Sequence, residues 1–130
     1  MNRNKRLWLA CVFISIFGST LYASNMRFGK ASYYTYKSCV REGTSGVYTA
    51  NGERFNEMDM TCAMRSREWN HKWRVCNTDN GACVIVRNND FGPNKRLYNS
   101  GRIVDLSKGA FMKIANIKKG IVNVSVEEVK

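Results

Sequence analysis

Two cysteines, Cys76 and Cys83, bracket the segment Asn77-Thr78-Asp79-Asn80-Gly81 between two runs of β character, and no other feature constrains the fold as much. Asn-Gly supplies the positive φ that a tight hairpin turn needs. Residues 72–76 and 82–88 are therefore expected to form an antiparallel hairpin, with the two cysteines facing each other as a disulfide. The remaining pattern is also one of short strands. Residues 28–34 alternate small and aromatic side chains, 102–104 form a brief apolar run, and 121–129 alternate apolar and polar with period two. One helix is expected at about 107–114, with Ala110, Phe111 and Ile114 at helical spacing on its core face. Asp105 is expected to open that helix as a cap. Several short strands with one or two short helices imply a mainly β chain closed into a barrel.

The first 24 residues have a different character. Arg3, Lys5 and Arg6 precede an uncharged apolar run from Leu7 to about Leu21, and Tyr22-Ala23-Ser24 ends in small residues. This is the layout of a secretory signal peptide, and the run is short for a membrane span. The expectation is a signal peptide at 1–24 and one domain at 25–130, exported to the periplasm or beyond, monomeric and without stable membrane insertion. Removing the leader takes three positive charges and no acids, which lowers the net charge from +11 to +8. A basic exported domain suits a polyanionic partner such as a cell-wall polymer; no nucleic-acid motif accompanies the charge.

Four cysteines remain in the exported part, an even number that suggests two disulfides. With Cys76 and Cys83 joined across the hairpin, Cys39 and Cys62 pair by elimination. No Cys-x-x-Cys spacing occurs and His71 is the only histidine, so the sequence indicates no metal site, and no cofactor is called for.

Asp90 stands at the end of the apolar run Val84-Ile85-Val86, just before Gly92-Pro93. A carboxylate at a strand end beside a rigid turn is well placed to face a groove and to transfer protons.

Further motifs come in a fixed order along the chain: Gly29-Lys30-Ala31-Ser32-Tyr33-Tyr34, Thr49-Ala50-Asn51-Gly52-Glu53-Arg54-Phe55, Thr61-Cys62-Ala63-Met64, Arg74-Val75-Cys76-Asn77, Asn89-Asp90-Phe91-Gly92-Pro93 and Gly101-Arg102-Ile103-Val104-Asp105-Leu106-Ser107. The series resembles the rare lipoprotein A (RlpA) family and covers residues 28–129. The resemblance implies a six-stranded double-psi β-barrel and lytic transglycosylation of peptidoglycan, without a metal or other cofactor. Asp90 matches the family's acid in Asp-Arg-Gly-Pro, and Glu53 the acid in Thr-Ala-Asn-Gly-Glu, which would hydrogen-bond the sugar or tune Asp90. Asn51 and Asn89 fall within the same motifs and are candidate substrate-binding residues.

Two positions and one segment depart from that pattern. Met64 stands where the family has histidine, and a thioether moves no proton. Phe91 stands where the family has the arginine of Asp-Arg-Gly-Pro. The family's Leu-Pro-Phe-Gly-Thr is replaced by Arg67-Glu68-Trp69-Asn70-His71-Lys72. Two classes of function therefore fit: a transglycosylase using Asp90 and Glu53, or a non-catalytic, expansin-like wall binder. In the second, aromatic faces among Tyr33, Tyr34, Tyr36, Trp69 and Trp73 would stack on sugars, two or three of them exposed. Tyr34 and Trp73 are the candidate stacking residues in either case. A secreted protease inhibitor is a third use of small disulfide-bonded barrels.

Overall fold

A computed structural model describes residues 25–41 and 48–130. The expected signal peptide lies outside the described residues. Six strands close into a barrel: β1 (Met26–Tyr34), β2 (Thr61–Met64), β3 (Lys72–Asn77), β4 (Cys83–Phe91), β5 (Arg102–Ser107) and β6 (Ile121–Val129). Around the barrel they run in the order β1-β5-β2-β4-β3-β6. The β1/β5 and β2/β4 pairs are parallel and the other four antiparallel. Among the described residues three short α-helices, α1 (Tyr36–Arg41), α2 (Lys95–Asn99) and α3 (Lys108–Ile114), and a 3-10 turn (Ile117–Lys119) join them.

Alternation fills the barrel. Val122, Val124 and Val126 of β6 point inward and are buried, as are Val75, Val84, Val86, Val104 and Leu106 from the neighbouring strands. β-branched side chains suit this pleated, half-buried wall. Ala110, Phe111 and Ile114 of α3 complete the core. Fully burying side chains such as Phe111, Leu106 and Ile114 contributes roughly 2–3 kcal/mol each. The helix approaches closely because Gly109 has no side chain: a Cβ there would lie 2.6 Å from the Met58 carbonyl oxygen.

The hairpin is as expected. Cys76 and Cys83 are opposite each other in the β3/β4 register and form a disulfide, with Gly81 at φ +76° in the turn. Strand β2 has no signature in hydrophobic periodicity, because all four of its residues are buried and no alternation remains to be read.

Two expectations are corrected. Strand β5 runs through Asp105 to Ser107, so Asp105 caps no helix; Ser107 Oγ accepts the hydrogen bond from Ala110 N at 3.2 Å. The ladder claims Asp105, which pairs with Ser32 on one side and Ala63 on the other. The Cys39–Cys62 bridge is not formed. Cys62 occupies an inward position of β2 opposite Leu106, and burial pushes its thiol up from the ordinary value. Elimination left the pairing with no geometric support.

Candidate functional site

Asp105 lies between the inward-facing Val104 and Leu106, and Ala63 between the inward-facing Cys62 and Met64. Alternation therefore turns both outward. The registers Ser32↔Asp105, Asp105↔Ala63 and Ala63↔Asp90 align four residues from β1, β5, β2 and β4 in one row across the outer wall. A bulge between Cys62 and Ala63 advances β4 by one residue and brings Asp90, rather than Asn89, into this row.

Asp105 is anchored within the row. Its Oδ1 accepts from Ser32 Oγ at 2.8 Å and from Arg102 Nε at 2.6 Å. Its Oδ2 faces Gly92, where a Cβ would lie 3.9 Å away. Asp90 is only half-buried, and its Oδ1 accepts from Ala50 N at 3.0 Å and Phe91 N at 2.9 Å. Burial raises its pKa above the ordinary carboxyl value. The two backbone hydrogen bonds oppose that rise, and the nearby Asp105 charge adds to it. Asp90 is thus biased toward holding a proton.

Glu53 has the opposite character. The segment carrying it docks on the end of β4, with Asn51 N donating to Asn89 O at 3.1 Å. Arg87 grips the Glu53 carboxylate with two nitrogens, at 2.6 and 2.7 Å. Asn51 Nδ2 donates to it at 2.8 Å and Asn89 Nδ2 at 3.4 Å. These donors, Arg87 first, hold Glu53 down at about 2, well below its ordinary 4.5. Arg87 also donates to Asn70 Oδ1, which ties in the connection before β3. Glu53, Asn51 and Asn89 therefore form one clamp beside Asp90, with Glu53 a fixed anion. The sequence reading passed over Arg87. A lone arginine three residues before the acid, directly after the apolar run Val84-Ile85-Val86, was the signal available.

The aromatic residues are more buried than the binder reading expects. Among the five, Tyr36 alone is largely exposed. Tyr33 packs on Phe111, with ring centroids 4.9 Å apart. Tyr34 stacks on Phe55 at 4.9 Å, and its buried hydroxyl has no hydrogen-bond partner among the described residues. Burial pushes that phenol up, and the Asp90 charge adds to the effect. Trp73 is half-buried against the core and lines a cavity of about 250 Å³ with Arg27, Met64, Arg65 and Tyr98. Met64 is a core residue. His71 stands at the surface, its Nδ1 2.8 Å from Glu128 Oε1. Among the described residues no three His, Cys, Asp or Glu side chains converge on a possible metal ion.

A closed six-stranded wall with mixed parallel and antiparallel pairs, carrying one proton-biased acid on its outer face, defines a double-psi β-barrel with a surface acid. The chain belongs to the RlpA-like lytic transglycolase family, whose model matches residues 27–126. It is 44% identical over 86 residues to a Nostoc sp. protein named "Probable endolytic peptidoglycan transglycosylase RlpA", covering 66% of this chain and 22% of that one. It is 39% identical over 99 residues to the endolytic peptidoglycan transglycosylase RlpA of Vibrio cholerae, covering 76% of this chain and 34% of that one. The chain thus spans only about a fifth to a third of these relatives. Among solved structures, the Streptomyces papain inhibitor matches with a TM-score of 0.61 at 22% identity, over 82% of this chain and 96% of that one. The apo expansin of Clavibacter michiganensis matches at 0.58 and 19% identity, over 81% and 50%. At these identities the two structures establish the fold alone.

Proposed function

We propose that this domain is a lytic transglycosylase of peptidoglycan glycan strands, with Asp90 as its single acid/base. The observation that carries the reading is the contrast between the two carboxyl groups. Asp90 is half-buried with a raised pKa, whereas Glu53 is locked as an anion by Arg87. Environments that push two carboxyl pKa values apart assign the acid role. The relatives named as peptidoglycan transglycosylases support peptidoglycan as the substrate class.

In this mechanism the protonated Asp90 gives its proton to the glycosidic oxygen between a muramyl residue and the next sugar as the C1–O bond breaks. The muramyl O6 hydroxyl then attacks C1, and its proton returns to Asp90. The product carries a 1,6-anhydro ring, no water is consumed and the acid is regenerated. Glu53 and its clamp hold the Thr49–Phe55 segment against the acid, and Asn51 and Asn89 serve that clamp. The signal-like amino-terminal segment and the basic charge support export and association with the wall.

A non-catalytic, expansin-like binder is the second reading. Its support is specific: Met64 is a core residue and Glu53 is fixed as an anion, so neither supplies a second proton-transfer group. Digestion of peptide-stripped glycan strands with the exported form and with Asp90→Asn, followed by mass spectrometry, separates the two. Anhydro-muramyl ends from the unmutated protein alone support the enzyme. Absence of soluble product, with both proteins sedimenting on the wall, leaves the binder.

A further inference from the structure

Tyr36 is the aromatic side chain that the site around Asp90 leaves unused. It opens α1 with 47% of its surface exposed, whereas Tyr33, Tyr34 and Trp73 pack against neighbours. A groove of about 660 Å³ opens beside it, lined by Tyr36, Arg54, Phe55, Asn56, Glu57 and Asp59. That volume is ordinary for a small-molecule site. Asp90, Glu53, Asn51, Asn89 and Arg87 are not among its walls, so it is a separate recess.

The polar groups of the groove are anchored through one end and open at the other. Glu57 Oε2 accepts from Tyr36 N at 3.2 Å, and the Glu57 carbonyl accepts from Gly109 N at 2.8 Å. Its Oε1 has no partner among the described residues. The Asp59 carbonyl accepts from Ser107 Oγ and from Thr61 N, while its carboxylate makes no hydrogen bond or ion pair with a described residue. An ionised carboxylate only accepts, so both offer lone pairs to hydroxyl donors. Two carboxylates repel an anionic ligand, and a wholly apolar ligand would leave them without donors. A pyranose satisfies both demands, with an apolar C–H face for the ring and hydroxyl donors along its edge.

Phe55 links the groove to the acid. Its ring stacks on Tyr34 with centroids 4.9 Å apart, and the segment that carries it reaches Asp90 Oδ1 through Ala50 N at 3.0 Å. The five residue steps from Ala50 to Phe55 span at most about 18 Å of chain, a length that a glycan of several sugars covers.

We propose that this groove is a distal sugar subsite, in which one pyranose ring stacks on Tyr36 and donates hydroxyl hydrogen bonds to Glu57 and Asp59 while another sugar of the same strand lies at Asp90. The subsite rests on the peptidoglycan reading above and adds a second point of attachment remote from the bond that is cleaved.

Calorimetry with peptide-stripped glycan strands, in an Asp90→Asn background that prevents turnover, tests it. Tyr36→Ala is expected to weaken binding about fivefold, the scale of one aromatic contact. Tyr36→Phe keeps the ring and should bind within about twofold of the parent. Asp59→Ala should weaken binding about fivefold, as for one lost hydrogen bond. Tyr36 lies outside the barrel core, and a thermal melt of each variant verifies that the fold is retained. If Tyr36→Ala melts far below the parent, Asp59→Ala carries the test, and unchanged binding by it overturns the subsite. Tyr36→Phe as weak as Tyr36→Ala, or Tyr36→Ala as tight as the parent, also overturns the subsite while the glycan reading stands. Failure of the parent Asp90→Asn protein to bind the strands overturns both.

Discussion

Glu53→Gln isolates the clamp from the rest of the site. The substitution preserves shape and some hydrogen bonding but removes the charge that Arg87 grips through two nitrogens. A carboxyl held at about 2 instead of 4.5 corresponds to about 3 kcal/mol at face value. Both side chains remain about one-third exposed, at 34% for Glu53 and 35% for Arg87. Solvent screening reduces the expected contribution to about 1–2 kcal/mol. The folded-state pKa is depressed, so the contribution is fully present above about 4.5 and is lost as pH falls toward about 2. Urea denaturation followed by circular dichroism at pH 7, 4.5, 3 and 2 should show the variant less stable by that amount at pH 7. The difference should shrink through the window and be largely gone near pH 2, where Glu53 is about half protonated. A gap that persists unchanged at pH 2, or no gap at pH 7, would refute the clamp. On the functional side, Glu53→Gln should leave the pH at which glycan cleavage declines where it was, because Glu53 donates no proton.

Two further outcomes follow from the same geometry. Asp105→Asn removes the anion that helps to raise Asp90, so the alkaline decline of glycan cleavage should move to lower pH in a pH–rate profile. An unmoved profile would mean that Asp105 acts only through its bonds to Ser32 and Arg102. Gly109→Ala places a Cβ within 2.6–2.9 Å of the Met58 backbone and should cost roughly 1–3 kcal/mol, read as a lower urea midpoint.

Much of the barrel could be read along the chain because local chemistry and final structure agree there. The Asn80-Gly81 turn sets the hairpin, and its flanking cysteines end opposite each other. Strand β6 shows its period-two pattern because one face is buried and the other solvated. The helix at 108–114 was visible from the spacing of Ala110, Phe111 and Ile114. Asp90 could be singled out because a strand end, an acid and a Gly-Pro turn coincide. Strand β2 could not be found from periodicity, since burial on both faces removes it.

What only the tertiary structure decided concerns partners remote in sequence. Asp105 looked like a helix cap because capping is a local signal; its place in a ladder between Ser32 and Ala63 depends on strands 73 and 42 residues away. Cys39 and Cys62 were matched by counting, and counting carries no distance. The same holds for charge: the sequence supplied Glu53, Arg87, Asp90 and Asp105 as separate residues. Whether a carboxyl group holds its proton depends on what surrounds it within a few ångströms. The residue types and local turns were determined by the chain itself. Glu53 became a fixed anion, and Asp90 an acid with a raised pKa, only when barrel closure set Arg87 against one and buried the other near the Asp105 charge.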